Sequence, residues 1–501
     1  MARLTRRMVL GWGLGGAFLG AAGTWALRDR PVEAQSSPTV QPSPERLTVA
    51  TWRRRAHTPT FIAHRGTAAT TPEHTLEGYR HALDAGATCM EISTVLTSDA
   101  TLVCHHDLTL ERTTDATGPV SRRTLTALRS VRSAAPRLGT RWSGIRAPGI
   151  PTLGEALDVV AGRAVLCLEA KDDGGYDQLI ATIDQRGLRD QVFIKVPTDS
   201  ARLAQASAAG FPVFAYFGSE KGVTPQAIEK AAEALRGDHD VLVLPIRTIA
   251  GDPLPDELIT AAVATGRTVW VHPVHRRSEV DRALSLGVQG MISSHVGYVS
   301  SHAPSATHDS WVQGGLAAGD LTKDPYDEAE RLEWPEPGVI RLRERLKAGC
   351  VMPGSLCPVR KDTGVVRIEF DLRFEVPHSP DNKDAAAVIL FGHDDDRYAE
   401  YGAGHGDGYH GLVRPDGQLI LGAHLDGRRE QEELSSAKAT APLAPGRWVR
   451  MVVTMDRGAV SWGYVGGPTV KADDVRWRGG YFHLGRTPTA PGVSIRDVVV
   501  S

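Results

Sequence analysis

Short apolar runs recur between residues 58 and 299, and most are separated by enough chain for one amphipathic helix. FIAH, MEISTV, VLCLEAK, VFIKV, VFAYF, VLVLP, TVWVH and GMISS are continuous enough in apolar character to be buried on both faces, as parallel strands are. Between several of them lie segments with helical spacing, such as Glu73–Ala85, Asp199–Ala209, Thr224–Leu235, Asp256–Thr265 and Arg277–Leu286. This alternation predicts an α/β domain, a (β/α)8 TIM barrel, over 58–300; an open doubly wound sheet is the alternative.

TLVCHH, residues 101–106, is a further apolar run that does not count among the eight. Parallel neighbours need a crossover of about a dozen residues or more, and only Thr97-Ser98-Asp99-Ala100 separates this run from MEISTV. The two are therefore predicted to form an antiparallel hairpin. A two-residue turn at Ser98-Asp99 would set His106 opposite Glu91 and Cys104 opposite Ser93.

Beyond Ser300 the period changes to two. Val366–Phe374 alternates apolar and polar residues, and AAAVILF, GYHGLVRPDGQLILGAHLDG, RWVRMVVTM, AVSWGYV and YFHLG follow, with a hairpin signal at Pro415-Asp416-Gly417. An all-β antiparallel sandwich is expected over 313–501, after a linker at 301–312. RWVRMVVTM followed by AVSWGYVGG is similar to concanavalin-like jelly-roll modules, a fold-level likeness that implies a carbohydrate ligand. Asp394-Asp395-Asp396 reads as a solvated loop.

At 501 residues, 41 % hydrophobic and 23 % charged, the chain has room for both domains. A formal net charge of −2, without a long run of Lys and Arg outside the N-terminus, argues against nucleic acid as a partner. Arg6-Arg7 ahead of the uncharged stretch Val9–Leu27, with Val32-Glu33-Ala34 as a cleavage-like site, predicts an export signal of the twin-arginine type over 1–34. The same stretch is long enough to remain as an uncleaved membrane anchor. Either way the protein is expected outside the cytoplasm, as an extracellular, periplasmic or cell-surface protein. Residues 35–57, opening in a Ser-, Pro- and Gln-rich run, are expected to be linker. Five cysteines do not make a disulfide framework, and the state of the close pair Cys350 and Cys357 is left open.

The candidate chemistry gathers at the C-terminal ends of the predicted strands, where barrel enzymes carry their sites. His64-Arg65-Gly66, Pro72-Glu73-His74-Thr75, Glu91 with Ser93, His106-Asp107 running into Leu108–Thr114, and Glu169 with Lys171 stand there in order. This set resembles the glycerophosphodiester phosphodiesterase family, whose pattern is an HRG, a PENT box, an ExD, an HD followed by TLxRTT, and an ExK. Val269-Trp270-Val271 and Gly287–Ile292 are similar to its closing strands, so the resemblance covers about 58–299.

The resemblance implies that His64 and His106 act as general base and general acid, in either of which roles imidazole can serve near neutrality. It implies attack by the glycerol hydroxyl beside the phosphodiester, giving a cyclic phosphate that water opens. Arg65 suits phosphate through its planar fork, Lys171 as a point charge, and Lys195 is a further candidate from its position on the next strand. Trp270 is read equally as an apolar wall for the substrate's alcohol or as core. Glu91 and Glu169 correspond to ligands of a divalent cation, Mg2+ or Ca2+, and Ser93 stands where the family's third ligand is Asp. Three accounts of Ser93 are open: its hydroxyl still ligates, the metal is lost and Arg65 and Lys171 neutralise the phosphate, or the site is inactive. Cys104 is either a soft metal ligand or packing; Glu73, His74 and His105 read as supporting residues, and Cys89 and Cys167 as barrel filling.

The function expected is an exported phosphodiesterase that hydrolyses glycerophosphodiesters to glycerol phosphate and an alcohol. One alternative is a phospholipase cleaving lysophospholipid or sphingolipid headgroups on the same barrel. Another is a catalytically silent glycan- or surface-binding protein.

Overall fold

Each of the eight predicted barrel runs forms a strand, and the hairpin supplies a ninth. In chain order they are β1 (Thr60–Ala63), β2 (Cys89–Leu96), β3 (Leu102–Cys104), β4 (Val165–Ala170), β5 (Val192–Pro197), β6 (Val213–Tyr216), β7 (Val241–Pro245), β8 (Thr268–His272) and β9 (Gly290–Ser293). The computed structural model describes residues 46–56, 59–301 and 365–500, apart from short stretches at 69, 136–141, 143, 250–251, 378–383, 394–406, 426–430, 480 and 488, and parts of 332–342. The export signal, Cys350, Cys357 and Asp394-Asp395-Asp396 lie outside the described residues.

Eight strands pair in parallel, and β1 pairs with both β9 and β2, which closes the sheet into a barrel. The predicted helices appear as α2 (Leu76–Asp84), α6 (Arg202–Ala208), α7 (Pro225–Ala234), α8 (Asp256–Ala264) and α9 (Arg277–Ser285). They are joined by α3 (Leu125–Leu128), α4 (Leu153–Val160), α5 (Gly175–Gln185) and α10 (Val296–Val299). Strand side chains alternate, so each barrel strand divides its residues between two cores. Met90, Ile92, Leu166, Leu168, Ile194 and Val271 face the helices. Ile62, Cys89, Val165, Cys167, Phe193, Phe214, Val241, Val243, Trp270 and Ile292 fill the interior.

Helix α1 (Val49–Arg55) lies inside the stretch expected to be linker. Thr48 caps it with a reciprocal Thr51 bond, and Val49 and Trp52 turn into the barrel's interior cluster. Trp52 Nε1 donates to Thr88 Oγ1 at 3.0 Å and Arg53 to Thr268 Oγ1 at 2.6 Å, both at strand beginnings, so α1 closes the N-terminal mouth. The low-complexity run beside it hides a seven-residue helix whose apolar face has only two members.

The hairpin is present but slipped by one residue from expectation. Thr94 pairs with Cys104, Val95 with Val103 and Leu96 with Leu102. The turn holds three residues instead of two, because Ala100 adopts the left-handed conformation (φ +59°) and Thr97 N–H reaches Thr101 O. A one-residue slip reverses which face a side chain meets. Cys104 therefore does not face Ser93; it is buried under α2 beside Tyr79, and burial pushes its thiol up to about 12. β3 ends at Cys104, and His105 and His106 follow it on irregular chain.

The C-terminal region forms two antiparallel sheets. Seven strands take the order β10 (Leu332–Glu333), β11 (Ile340–Leu342), β21 (Val493–Val500), β12 (Val366–Phe374), β17 (Val449–Met455), β18 (Val460–Tyr464) and β19 (Thr469–Ala472). Five take the order β16 (Glu432–Lys438), β15 (Gln418–His424), β14 (Gly408–Val413), β13 (Ala387–His393) and β20 (Tyr481–Arg486). Phe370, Phe391, Tyr409, Trp462 and Phe482 lie in the core between them. Tyr481 instead joins the barrel's outer core, and its hydroxyl accepts from Arg277 Nη1 at 3.3 Å.

Candidate active site

The interior alternation continues upward by one step, and that step carries the chemistry. Two residues beyond Ile62, Cys89, Cys167, Phe193, Phe214, Trp270 and Ile292 stand His64, Glu91, Glu169, Lys195, Tyr216, His272 and Ser294. An apolar floor thus lies beneath a polar layer at the C-terminal mouth. Trp270 belongs to the floor. It is 1 % exposed and packs edge-on against Trp52, Phe193 and Phe214, so it lines no substrate wall.

The first two motifs lock together through their backbones. Arg65 and His74 both have φ +54°, and His74 N–H donates to Arg65 O at 3.0 Å. His is among the residues that tolerate this conformation, as Asn is. Gly66 follows at φ +85°, where a Cβ would lie 3.1 Å from the Gly78 carbonyl carbon of α2. Thr75 caps α2 by accepting from Gly78 N–H, and His74 Nδ1 bonds to the Tyr79 hydroxyl at 3.0 Å.

His64 is buried, with Nδ1 2.9 Å from Ser294 Oγ and Nε2 3.9 Å from Glu91 Oε2. Burial, with Arg65 and Lys195 nearby, holds its pKa well below the ordinary imidazole value despite Glu91. His106 is more open, and its Nδ1 lies 2.7 Å from Asp107 Oδ1. An ionised carboxylate only accepts, so Asp107 places the proton on Nδ1 and leaves the Nε2 lone pair outward. Burial, then Arg65, pushes His106 down to about 4, while Asp107 opposes.

Behind the histidines runs a chain of ion pairs. Glu73 accepts from Arg65 Nη1 at 3.2 Å and from Arg112 at 2.7 and 3.0 Å. Arg112 also donates to Asp107 at 2.5 Å, so His106 is tied to Arg65 through Asp107, Arg112 and Glu73. Burial alone would raise the Glu73 pKa, but Arg65 and Arg112 hold it well below the carboxylate range. His105 is fixed by Asp107 O and Thr113 Oγ1.

Deeper in the mouth, Lys195 Nζ lies 2.7 Å from Glu91 Oε1 and 2.9 Å from Glu169 Oε2. Glu169 Oε1 accepts from Tyr216 at 2.5 Å and from Lys171 Nζ at 3.1 Å, and its Oε2 also accepts from Ser93 at 3.3 Å. Opposing its burial, Lys195 and Lys171 hold Glu169 at about 2. Cys89 and Cys167 sit one step below, with their sulfurs 3.6 Å apart.

This constellation can be placed among known proteins. The barrel matches the glycerophosphoryl diester phosphodiesterase family over residues 64–298. A probable glycerophosphodiester phosphodiesterase 1 of Mycobacterium tuberculosis is 28 % identical over 280 residues, which is 52 % of this chain and 95 % of that protein. A glycerophosphodiester phosphodiesterase of Bacillus subtilis is 24 % identical over 261 residues, 47 % of this chain and 83 % of its own. Among solved structures, an Oleispira antarctica phosphodiesterase in complex with the product sn-glycerol-3-phosphate aligns with TM-score 0.40 and 21 % identity, covering 48 % of this chain and 96 % of that one.

The glycerophosphoryl diester phosphodiesterase family generally uses a divalent cation. The donors in this barrel do not fit one. A carboxylate offers about four lone-pair sites, and on Glu169 all four are taken by Tyr216, Lys171, Ser93 and Lys195. Ser93 donates its proton to Glu169 Oε2 and so takes up one of those four sites.

Of the residues singled out from sequence, the structure brings together His64, Arg65, Glu91, Ser93, His106, Lys171, Glu169 and Lys195, and leaves out Trp270. Sequence reasoning passed over Tyr216, Ser294 and His272 at the ends of their strands. The signal was available, since each lies two residues beyond a bulky interior residue. Asp107 and Arg112 stand in the HD and TLxRTT motifs with no role legible in the sequence, because the Glu73 that joins them to Arg65 lies on a different loop.

Proposed function

We propose that the protein is an exported phosphoric diester hydrolase that cleaves glycerophosphodiesters to glycerol phosphate and an alcohol, with His64 and His106 as its acid–base pair. The observation that carries the reading is the convergence of two neutral histidines with Arg65 and Lys171 at the barrel mouth, inside the stretch matched to the family. Arg65 and Lys171 both act on the His106 ring by charge, so an anionic phosphodiester bound on its open side meets both charge and hydrogen-bond donors.

In the proposed chemistry one imidazole takes the proton of the glycerol hydroxyl. Its oxygen bonds to phosphorus, the bond from phosphorus to the leaving alcohol breaks, and the second imidazole gives that alcohol a proton. Water then opens the cyclic phosphate by the reverse proton transfers. The entering phosphate anion raises the pKa of the adjacent imidazole, which supplies the acid form that the free chain lacks at neutral pH. The family's divalent ion has no part in these steps.

The test is alcohol release from a panel of glycerophosphodiesters and lysophospholipids. The expected result is turnover of glycerophosphodiesters, reduced by about 10²- to 10⁴-fold in His106→Ala. Absence of turnover on every substrate would overturn the reading, and preference for lysophospholipids would replace it with the headgroup-cleaving alternative.

Export by the twin-arginine route is supported by Arg6-Arg7 ahead of Val9–Leu27. Replacing both arginines by lysine is expected to leave the protein in the cytoplasm, measured by cell fractionation. The two-sheet architecture of the C-terminal domain supports a carbohydrate partner, testable by glycan-array binding of the full chain.

A further inference from the structure

The disagreement between the donor set and a divalent ion has a specific cause. Lys195 Nζ is bonded to Glu91 Oε1 and Glu169 Oε2, the two carboxylates that the family resemblance assigns to metal binding. An ion bridging those oxygens would lie at about 2.0–2.6 Å from each, which is the space the ammonium fills. We propose that Lys195 is a built-in replacement for the divalent cation, so that this phosphodiesterase works without metal. The inference rests on the function proposed above.

Three further observations support it. First, charge in the site is already balanced by protein: the carboxylates Glu73, Glu91, Asp107 and Glu169 face Arg65, Arg112, Lys171 and Lys195. A divalent ion added beside Lys195 would meet an ammonium at close range inside a buried site, where such repulsion is weakly screened. Second, the missing third carboxylate and the lysine lie together. Glu169 Oε2 is reached both by Ser93, where an aspartate would add a negative charge, and by Lys195. An anion absent at 93 and a cation present at 195 both lessen the pull of the site on a divalent ion. Third, Lys195 is held in place: its ammonium lies 4.6 Å from the centre of the Tyr216 ring, and Tyr216 is tied to Glu169 by its hydroxyl.

An ammonium differs from a metal in what it supplies. It is a single fixed charge with three donors and cannot lower the pKa of a bound hydroxyl as far as a Lewis acid does. Two donors go to Glu91 and Glu169, and the third is left for a substrate oxygen. Glu91 and Glu169 then orient the ammonium, and more of the proton transfer falls to His64 and His106.

The test uses the full chain freed of metal by chelator and dialysis. Calorimetric titration with Mg2+, Ca2+ and Mn2+ is expected to show no binding at the site, and turnover of glycerophosphodiesters is expected to change less than about twofold with or without ions. Wild-type binding of one ion per chain that is lost in Glu91→Gln, or turnover abolished by chelator and restored by an ion, would overturn the proposal. The calorimetric result decides the point even if no phosphodiester is turned over, in which case only the functional reading fails. In Lys195→Met/Ser93→Asp, which restores three carboxylates without the ammonium, divalent ions are expected to bind and raise the unfolding temperature. If that variant folds and still binds no ion, the carboxylates are not a vacated cation site and the proposal falls. Should it not fold, the wild-type titration still decides.

Discussion

Lys195 lies two residues beyond Phe193, and that one strand step takes it from the apolar floor into the charged layer. Its neighbour Ser93 matters for the same reason, since any charge placed there is felt by Glu169 3.3 Å away. Ser93→Asp alone is expected to destabilise the chain by about 1–3 kcal/mol at pH 7, because the new carboxylate would share Lys195 with two others. Urea unfolding measures this, and unchanged stability would mean that the site accommodates a third anion. His106 gives a pH signature. Its pKa is lowered from 6.5 to about 4, so in the free chain it stays neutral through mildly acidic pH. The midpoint of its ring titration in the free chain, read by NMR, is therefore expected near 4. A midpoint near 6.5 would show that His106 is not held as described.

At the scale of elements, the hairpin and the N-terminal helix are the two places where backbone and packing, more than residue chemistry, determine the site. Ala100 holds a left-handed conformation at the turn, which costs an alanine more than a glycine. Ala100→Gly is expected to stabilise the protein by about 0.5–1 kcal/mol in chemical denaturation without moving the register. Deleting residue 100 would force a two-residue turn and shift His106 relative to Asp107 and Arg112. Helix α1 contributes Trp52 to the floor on which Glu91, Glu169 and Lys195 stand. Trp52→Ala is expected to cost about 3–5 kcal/mol, read by thermal or urea unfolding, through the cavity it leaves under that layer. A loss below about 1 kcal/mol would show that α1 is an ornament to the barrel and not its closure.

Across the whole molecule, buried histidines set the response to acid. His64, His74 and His483 are held well below 6.5 by burial, and His106, His272, His295 and His410 near 4. In the unfolded chain they would protonate near 6.5, so between that value and about 4 the unfolded state binds more protons and stability falls as pH falls. Glu169, depressed to about 2, loses its contribution only at lower pH. The unfolding temperature is expected to drop by roughly 5 °C or more between pH 7 and pH 5, before the carboxylates protonate. A flat profile by calorimetry over that range would contradict neutral burial of these rings.

The sequence by itself determined the strands, since apolar runs of the right length and spacing leave a barrel chain few other arrangements, and Val366–Phe374 announced its own alternation. It also determined the motifs, because their order and their places at strand ends follow from the same periodicity. It did not determine α1, whose apolar face has only two members, nor the hairpin register, which turns on the conformation of Ala100. The use of Trp270 as floor was decided by packing against Trp52, from a stretch read as linker. The meaning of Ser93 and Lys195 was likewise decided by tertiary structure. They lie on different strands, 102 positions apart in sequence, and only the pairing of β2 and β5 with β4, which carries Glu169, brings both to the same carboxylate. A local pattern can reveal that a ligand is missing. Where the compensating charge comes from is a long-range contact, and no single segment of the chain encodes it.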